Sequence, residues 1–197
     1  MSLLPLTAGT TAIVWTVTPQ GPPAVVRRCP RCDVARPFVS TSRFRINGNG
    51  RRLDVWLIWS CSVCDATWNL RLHRRVLASE LGTERLSRLH DNDPAAALAA
   101  AFDRAALAGA QVRTEPIDWH LEGDRPRGPA VVTIHAPYGG PRLDRLLAEG
   151  LGLSRSAVSC LARDGGLRLA PEDLRALRRP VRDGQRVEVC EAGQSSK

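Results

Sequence analysis

Cys29-Pro30-Arg31-Cys32 and Cys61-Ser62-Val63-Cys64 decide how this chain is read. A two-residue spacer lets both sulfurs of a pair turn toward one ion, and two pairs complete a tetrahedral four-sulfur shell. Such a turn needs positive φ just after the second cysteine. Asp33 and Asp65 stand there, and aspartate enters that region more readily than most non-glycine residues. The 28 residues between the pairs make a long spacer, with Asn47-Gly48-Asn49-Gly50 midway along it. That is the strongest hairpin signal in the chain, so each cysteine pair is expected at a turn of a small antiparallel sheet.

The competing reading of Cys-x-x-Cys is a dithiol redox switch. Two pairs at the base of one hairpin, without a βαβ context, favour zinc. A shell of four cysteines leaves no position open for water, so the expected zinc is structural, held by Cys29, Cys32, Cys61 and Cys64. The site's residual charge of −2 can be offset by Arg27, Arg28, Arg31 and Arg36. His73 is read as a surface histidine rather than a substitute ligand. Cys160 and Cys190 are read as small core residues.

Outward from the cysteines, Ala12 to Val17 and Ala24-Val25-Val26 read as strands. Phe38 to Ile46 alternates Phe44 and Ile46 with Arg43 and Arg45. Leu53 to Trp59 is apolar on both faces, which suits a central strand. Trp68, Leu70 and Leu72 mark one more strand. Helical patterning follows at Thr83 to His90, then from an Asp93-Pro94 start through the alanine-rich run to Gly109, with Leu98, Phe102 and Leu107 facing inward. Glu122 to Pro129 is polar and rich in Gly, Pro and Arg, as a linker would be. Ala130 to Ile134 reads as a strand beside it.

Arg142 to Val189 reads as a second unit. Leu143, Leu146, Leu147 and Leu151 recur at helical spacing. Ser154 caps a second helix whose stripe is Ala157, Val158, Leu161 and Ala162, and Gly165-Gly166 ends it. Leu167 to Leu169 and Val187 to Val189 then form a small hairpin. The expected fold is α+β: a small antiparallel sheet with a four-cysteine, zinc-ribbon-like site and bracing helices over residues 1–124, then a linker and a two-helix plus hairpin module over residues 125–197.

Of 197 residues, 43% are apolar, enough for a true core. No apolar run approaches the 18 or so residues of a membrane span, and Met1 to Val17 lacks the basic start of a secretory signal. A cytoplasmic location without membrane association is expected. The net charge of +8 is carried by 27 arginines and one lysine. It is +3 over residues 1–124 and +5 over the shorter remainder. That density suits a polyanion such as nucleic acid, although arginine also decorates surfaces as an ordinary solvated charge.

Two resemblances add to this reading. Phe44 through Gly50, Leu53-Asp54-Val55-Trp56-Leu57-Ile58, the second cysteine pair, Thr67-Trp68-Asn69 and the later Asn92-Asp93 and Ala101-Phe102-Asp103 resemble an uncharacterised bacterial family, the domain of unknown function numbered one thousand and sixty-two. Arg142-Leu143-Asp144-Arg145-Leu146-Leu147, Leu153-Ser154-Arg155-Ser156-Ala157 and Asp164-Gly165-Gly166-Leu167 are similar to the RNA-binding fold named after ribosomal protein S-four. That similarity implies an S-four-like module whose helices present basic and hydroxyl side chains to structured RNA. By position the contacts are Arg142, Arg145, Ser154, Arg155, Ser156 and Arg163. Where that family often has a short Asn-Gly turn, this chain has Ala170-Pro171-Glu172-Asp173.

The leading functional expectation is therefore structured-RNA binding. A zinc-stabilised protein-interaction module is the alternative, which exposed tryptophans would support, although most of the five lie in strands or apolar segments and are read as core. No phosphate-cradling glycine loop or supported nucleophile–base pair is present, and His73, His90, His120 and His135 lie in separate segments. An enzyme is not expected, nor is a small-molecule substrate.

Overall fold

In the computed structural model, which describes residues 10–169 and 173–190, the first strand, β1 (Thr11–Pro19), does not join the five strands that come next in the chain. The chain forms two compact units. Gly21–Asp118 is the central unit, and Met1–Gln20 with Trp119–Lys197 is the terminal unit, built from both ends of the chain. The sequence had suggested one division, at residues 124 and 125. In the structure the Glu122–Pro129 segment instead joins two strands within the terminal unit. The segment Ala170-Pro171-Glu172 lies outside the described residues.

The central unit holds β2 (Val25–Arg28), β3 (Ala35–Asn49), β4 (Arg52–Cys61), β5 (Thr67–Leu77) and the short β6 (Arg113–Thr114), in the order β5-β4-β3-β2-β6 and antiparallel throughout. The β3–β4 hairpin closes through Gly50 and Arg51, between the paired residues Asn49 and Arg52. Gly50 takes φ +60°, the conformation a two-residue hairpin turn needs at its first position. On β4, Val55, Leu57, Trp59 and Cys61 are fully buried while Asp54, Trp56, Ile58 and Ser60 are only half-buried. The strand is central, as expected, but one face rather than both makes the core.

Helices α1 (Ala78–Leu81), α2 (Thr83–His90), α3 (Pro94–Ala101) and α4 (Arg104–Gly109) follow. Asp93 caps α3, its carboxylate accepting from the Ala96 N–H at 2.7 Å with Pro94 in the first turn. The alanine run is not one helix, because Asp103 offers a second cap. It accepts from the Ala106 N–H at 2.9 Å and starts α4. The break changes which side chains face inward. Ala97, Ala101 and Leu107 are buried beside Phe38, Leu57 and Trp59, while Leu98 and Phe102 are only half-buried.

In the terminal unit β7 (Trp119–Glu122), β1, β8 (Ala130–His135), β10 (Gln185–Val189) and β9 (Leu167–Leu169) form one sheet in that order. β1 and β8 are parallel, and the other pairs are antiparallel. The expected hairpin of β9 and β10 is thus the edge of a five-stranded sheet. Helices α5 (Leu143–Leu151) and α6 (Arg155–Arg163) and a 3₁₀ turn, Leu174–Arg178, pack together. Trp15 is the centre of this core, fully buried among Leu147, Ile134 and Val187. Gly150 lets α5 pass over it, since a methyl group there would overlap the indole.

Candidate functional site

The two cysteine turns are built alike. In the first, the Cys29 N–H donates to the Val34 carbonyl and the Asp33 N–H to the Cys29 carbonyl, both at 2.9 Å. In the second, the Cys61 N–H donates to Ala66 at 2.9 Å and the Asp65 N–H to Cys61 at 3.1 Å. Asp33 and Asp65 take φ 59° and 58°, the conformation expected of them. β2–β3 pairing brings the turns together, because Phe38 pairs with both Val25 and Cys61.

All four sulfurs lie within 4.8 Å of one another, and Cys29 Sγ is 3.4 Å from Cys64 Sγ. Cys29 and Cys61 are fully buried. Four convergent thiols at this spacing can hold a metal ion. His73 is not among them. Its ring meets Arg85 Nη2 at 3.2 Å, and burial followed by the Arg85 charge lowers its pKa.

The thiols do not share one proton affinity. Burial pushes Cys29 up, yet the N–H groups of Cys32 and Arg31 and the thiols of Cys64 and Cys61 bring it down to about 6. Cys32 is pushed up to about 12, first by Cys64 and then by burial. Cys64 is also raised. The Ala66 N–H works against that shift and burial works for it. Of these three, Cys29 is the most readily ionised, and a bound cation would favour the thiolate forms of Cys32 and Cys64 as well.

Of the arginines expected to offset the site's charge, Arg31 donates from Nη1 to the Cys64 carbonyl at 2.7 Å, spanning the two turns. Arg27 stacks over Trp68, 4.5 Å from the ring centroid. Arg28 pairs with Asp33 at 2.6 Å. Arg36 is half-buried beside them on β3.

The second candidate site lies on α5, α6 and the 3₁₀ turn. Its centre is a carboxylate. Asp144 is 6% exposed. It accepts two bonds from Arg142, from Nε at 3.2 Å and Nη2 at 2.8 Å, and a third from Arg155 Nη2 at 2.8 Å. Burial would raise its pKa, but the hydrogen bonds from Arg155 and Arg142 and their charges hold it below the usual carboxylate range. A depression of about 420 Å³ opens beside it, walled by Ser159, Arg163, Arg175 and Arg178.

Arg142 and Arg155 thus meet at one carboxylate, and Arg163 lines the depression beside it. Arg163 is oriented by Nη2 to Cys160 Sγ at 3.1 Å and Nε to the Ser159 carbonyl at 3.3 Å. Cys160 is exposed, so it is not the core residue its neighbours suggested. Ser154 caps α6, accepting from the Ala157 N–H at 3.1 Å, and shares a hydrogen bond with Ser156 at 2.9 Å. No side-chain hydrogen bond or ion pair among the described residues ties the Arg145 guanidinium to the group.

Asp144 was the residue that sequence reading left out of the site. Its signal was present. At 100° per residue it falls beside Leu147 and Leu151, at the edge of the buried stripe of α5, where a carboxylate needs a partner.

The chain belongs to the family described as proteins of unknown function, DUF1062, which it matches over residues 46–173. That span takes in the second cysteine pair and both α5 and α6. No curated protein sequence and no solved structure matches the chain.

Proposed function

We propose that the terminal unit is an S-four-like module that binds structured RNA through the α5–α6 arginine cluster, and that the central unit is a zinc-ribbon-like domain shaped by a structural zinc. One observation carries the RNA reading. Arg142 and Arg155 pair with the buried carboxylate of Asp144, and Arg163, Arg175 and Arg178 line the open depression that Asp144 also lines. Among the described residues none of Arg163, Arg175 and Arg178 pairs with a carboxylate. Arg142 and Arg155 are half-exposed, with side chains 45% and 57% accessible. Each guanidinium therefore keeps donors for phosphate oxygens while Asp144 holds its plane in place. Contacts of this kind read backbone and shape, which suits folded RNA.

Zinc is the ion that the donor set favours. Zn–S bonds of about 2.3 Å give sulfur separations of about 3.8 Å in a tetrahedron, close to the spacing of these four sulfurs. Zinc bound here supplies a crosslink between the two turns. Cys29, Cys32, Cys61 and Cys64 hold it, and Arg31 ties the turns together alongside it.

The test of RNA binding uses the full chain with Arg142 and Arg155 both changed to alanine and a folded transfer RNA as probe. Binding should weaken at least tenfold. The slope of log affinity against log salt should flatten by about 2, roughly 0.9 for each lost phosphate contact. Equal affinity and slope in wild type and double variant would sink the reading. A second reading, a protein-interaction surface on the central unit, is favoured by Val34 and Val63, which are 48% and 60% exposed at the two cysteine turns. Binding to a protein there would respond weakly to salt.

A further inference from the structure

The outer face of the central sheet carries two cross-strand rows that the core does not use. Arg45, Trp56 and Arg71 are paired neighbours across β3, β4 and β5, and Arg43, Ile58 and Asn69 form the adjoining row. Trp56 and Ile58 are half-buried and belong to none of the hydrophobic cores. The helices pack on the opposite face, with Val55, Leu57 and Trp59. Trp56 thus stands between two arginines on the face away from the helices, where it packs into no apolar core.

We propose that this face is a platform for single-stranded RNA, with an unpaired base stacked at Trp56 and the flanking arginines on its phosphates. The charge argument selects a polyanion. Among the described residues none of Arg43, Arg45 and Arg71 pairs with a carboxylate. The next carboxylate along β4, Asp54, is turned to the Arg75 N–H at 3.1 Å.

The ring argument selects unpaired bases. The Arg45 guanidinium lies over Trp56, 5.7 Å from the ring centroid. Indole and guanidinium together offer a flat surface on which a base can stack, and only unpaired bases expose their faces. Asn69, half-buried one row away, carries an amide that both donates and accepts. A ribose 2′-hydroxyl or a base edge requires that pairing capacity. The platform lies in the central unit and is independent of the cluster around Asp144.

The experiment uses the full chain and a fluorescein-labelled twelve-residue oligouridine, followed by anisotropy. Trp56→Ala should weaken binding about tenfold, within the range of about five- to a hundredfold per stacked base. Trp56→Phe, which keeps a stacking face, should lose less than threefold. Changing Arg43, Arg45 and Arg71 together to alanine should flatten the salt slope by about 2, at roughly 0.7 for each contact to a single strand. These three arginines are exposed, so this variant tests the site even if Trp56→Ala unfolds the sheet.

Trp56→Ala should cause the same fold-loss of oligouridine affinity in the Arg142/Arg155 double variant as in wild type, which separates this site from the one proposed for folded RNA. Four results would each overturn the proposal: no saturable oligouridine binding, an unchanged affinity in Trp56→Ala, an equal loss in Trp56→Phe, or oligothymidine binding as tight as oligouridine.

Discussion

The two units of this chain solve the same problem by different means. The central unit draws on one continuous stretch, Gly21–Asp118, and gathers four sulfurs where its two cysteine turns meet. The terminal unit recruits both ends of the chain and closes around Trp15, which lies between the sheet and α5. The central unit adds four convergent thiols to its apolar core. In the terminal unit closure is spread over apolar contacts. With the proposed zinc bound, the difference teaches where each is vulnerable: the central unit to loss of the ion or a ligand, the terminal unit to loss of volume.

The largest effect is expected at the metal centre. Structural zinc contributes roughly 10–16 kcal/mol of apparent binding free energy at neutral pH, against about 5–15 kcal/mol for the whole stability of an ordinary domain. Cys32→Ser, or a strong chelator, should therefore unfold the central unit and leave the terminal unit folded. Purified wild type should carry about one zinc per chain. Hydrogen exchange read peptide by peptide makes the contrast visible: protection should vanish across β3, β4 and β5 and persist across β1, β8 and α5. Full protection in a metal-free chain would show that the sulfurs are not what closes this unit.

Trp15→Ala should act the other way round. Deleting a fully buried indole costs about 3–5 kcal/mol, with the spread set by how far the cavity collapses. The loss should fall on the terminal unit alone, with zinc content and protection of the β3–β4 hairpin unchanged. Equal destabilisation of both units would erase the distinction drawn between them.

The same contrast explains what the sequence disclosed. Features settled within a few residues were legible: positive φ at Asp33 and Asp65, the caps at Asp93 and Ser154, and the pairing of cysteines around one long hairpin. The membership of β1 was not legible. Thr11 pairs with Ala130 in parallel, and such a partnership leaves no local mark on Ala12 to Val17. Any strand of that pattern would suit the nearer sheet. The α3–α4 break was missed because alanine's propensity concealed the second cap at Asp103.

The arginine cluster was half legible. The basic residues could be counted from sequence, but Arg142 and Arg155 lie two residues before and eleven after Asp144, and only the packing of α5 on α6 brings Arg155 to it.

The smallest effect refines this last point. Asp144 is ionised more readily in the folded chain than in the unfolded one, because Arg155 and Arg142 donate to its carboxylate and outweigh its burial. Its unfolded pKa is about 3.9. Above that value both states are ionised and the pairing stabilises the terminal unit in full. As pH falls through the lower folded value the carboxylate takes up a proton, and the contribution is lost. Asp144→Asn keeps the shape and one acceptor but has no carboxylate to titrate. Both arginine side chains are about half exposed, so solvent screens the pairing, and the variant should lose only about 1 kcal/mol at pH 7. Urea unfolding of wild type and variant should show a constant gap from pH 7 to about 5 that narrows below about 4. A gap unchanged at pH 3 would mean that the Asp144 charge contributes nothing to holding the two guanidiniums, and that α5 and α6 align them by packing alone.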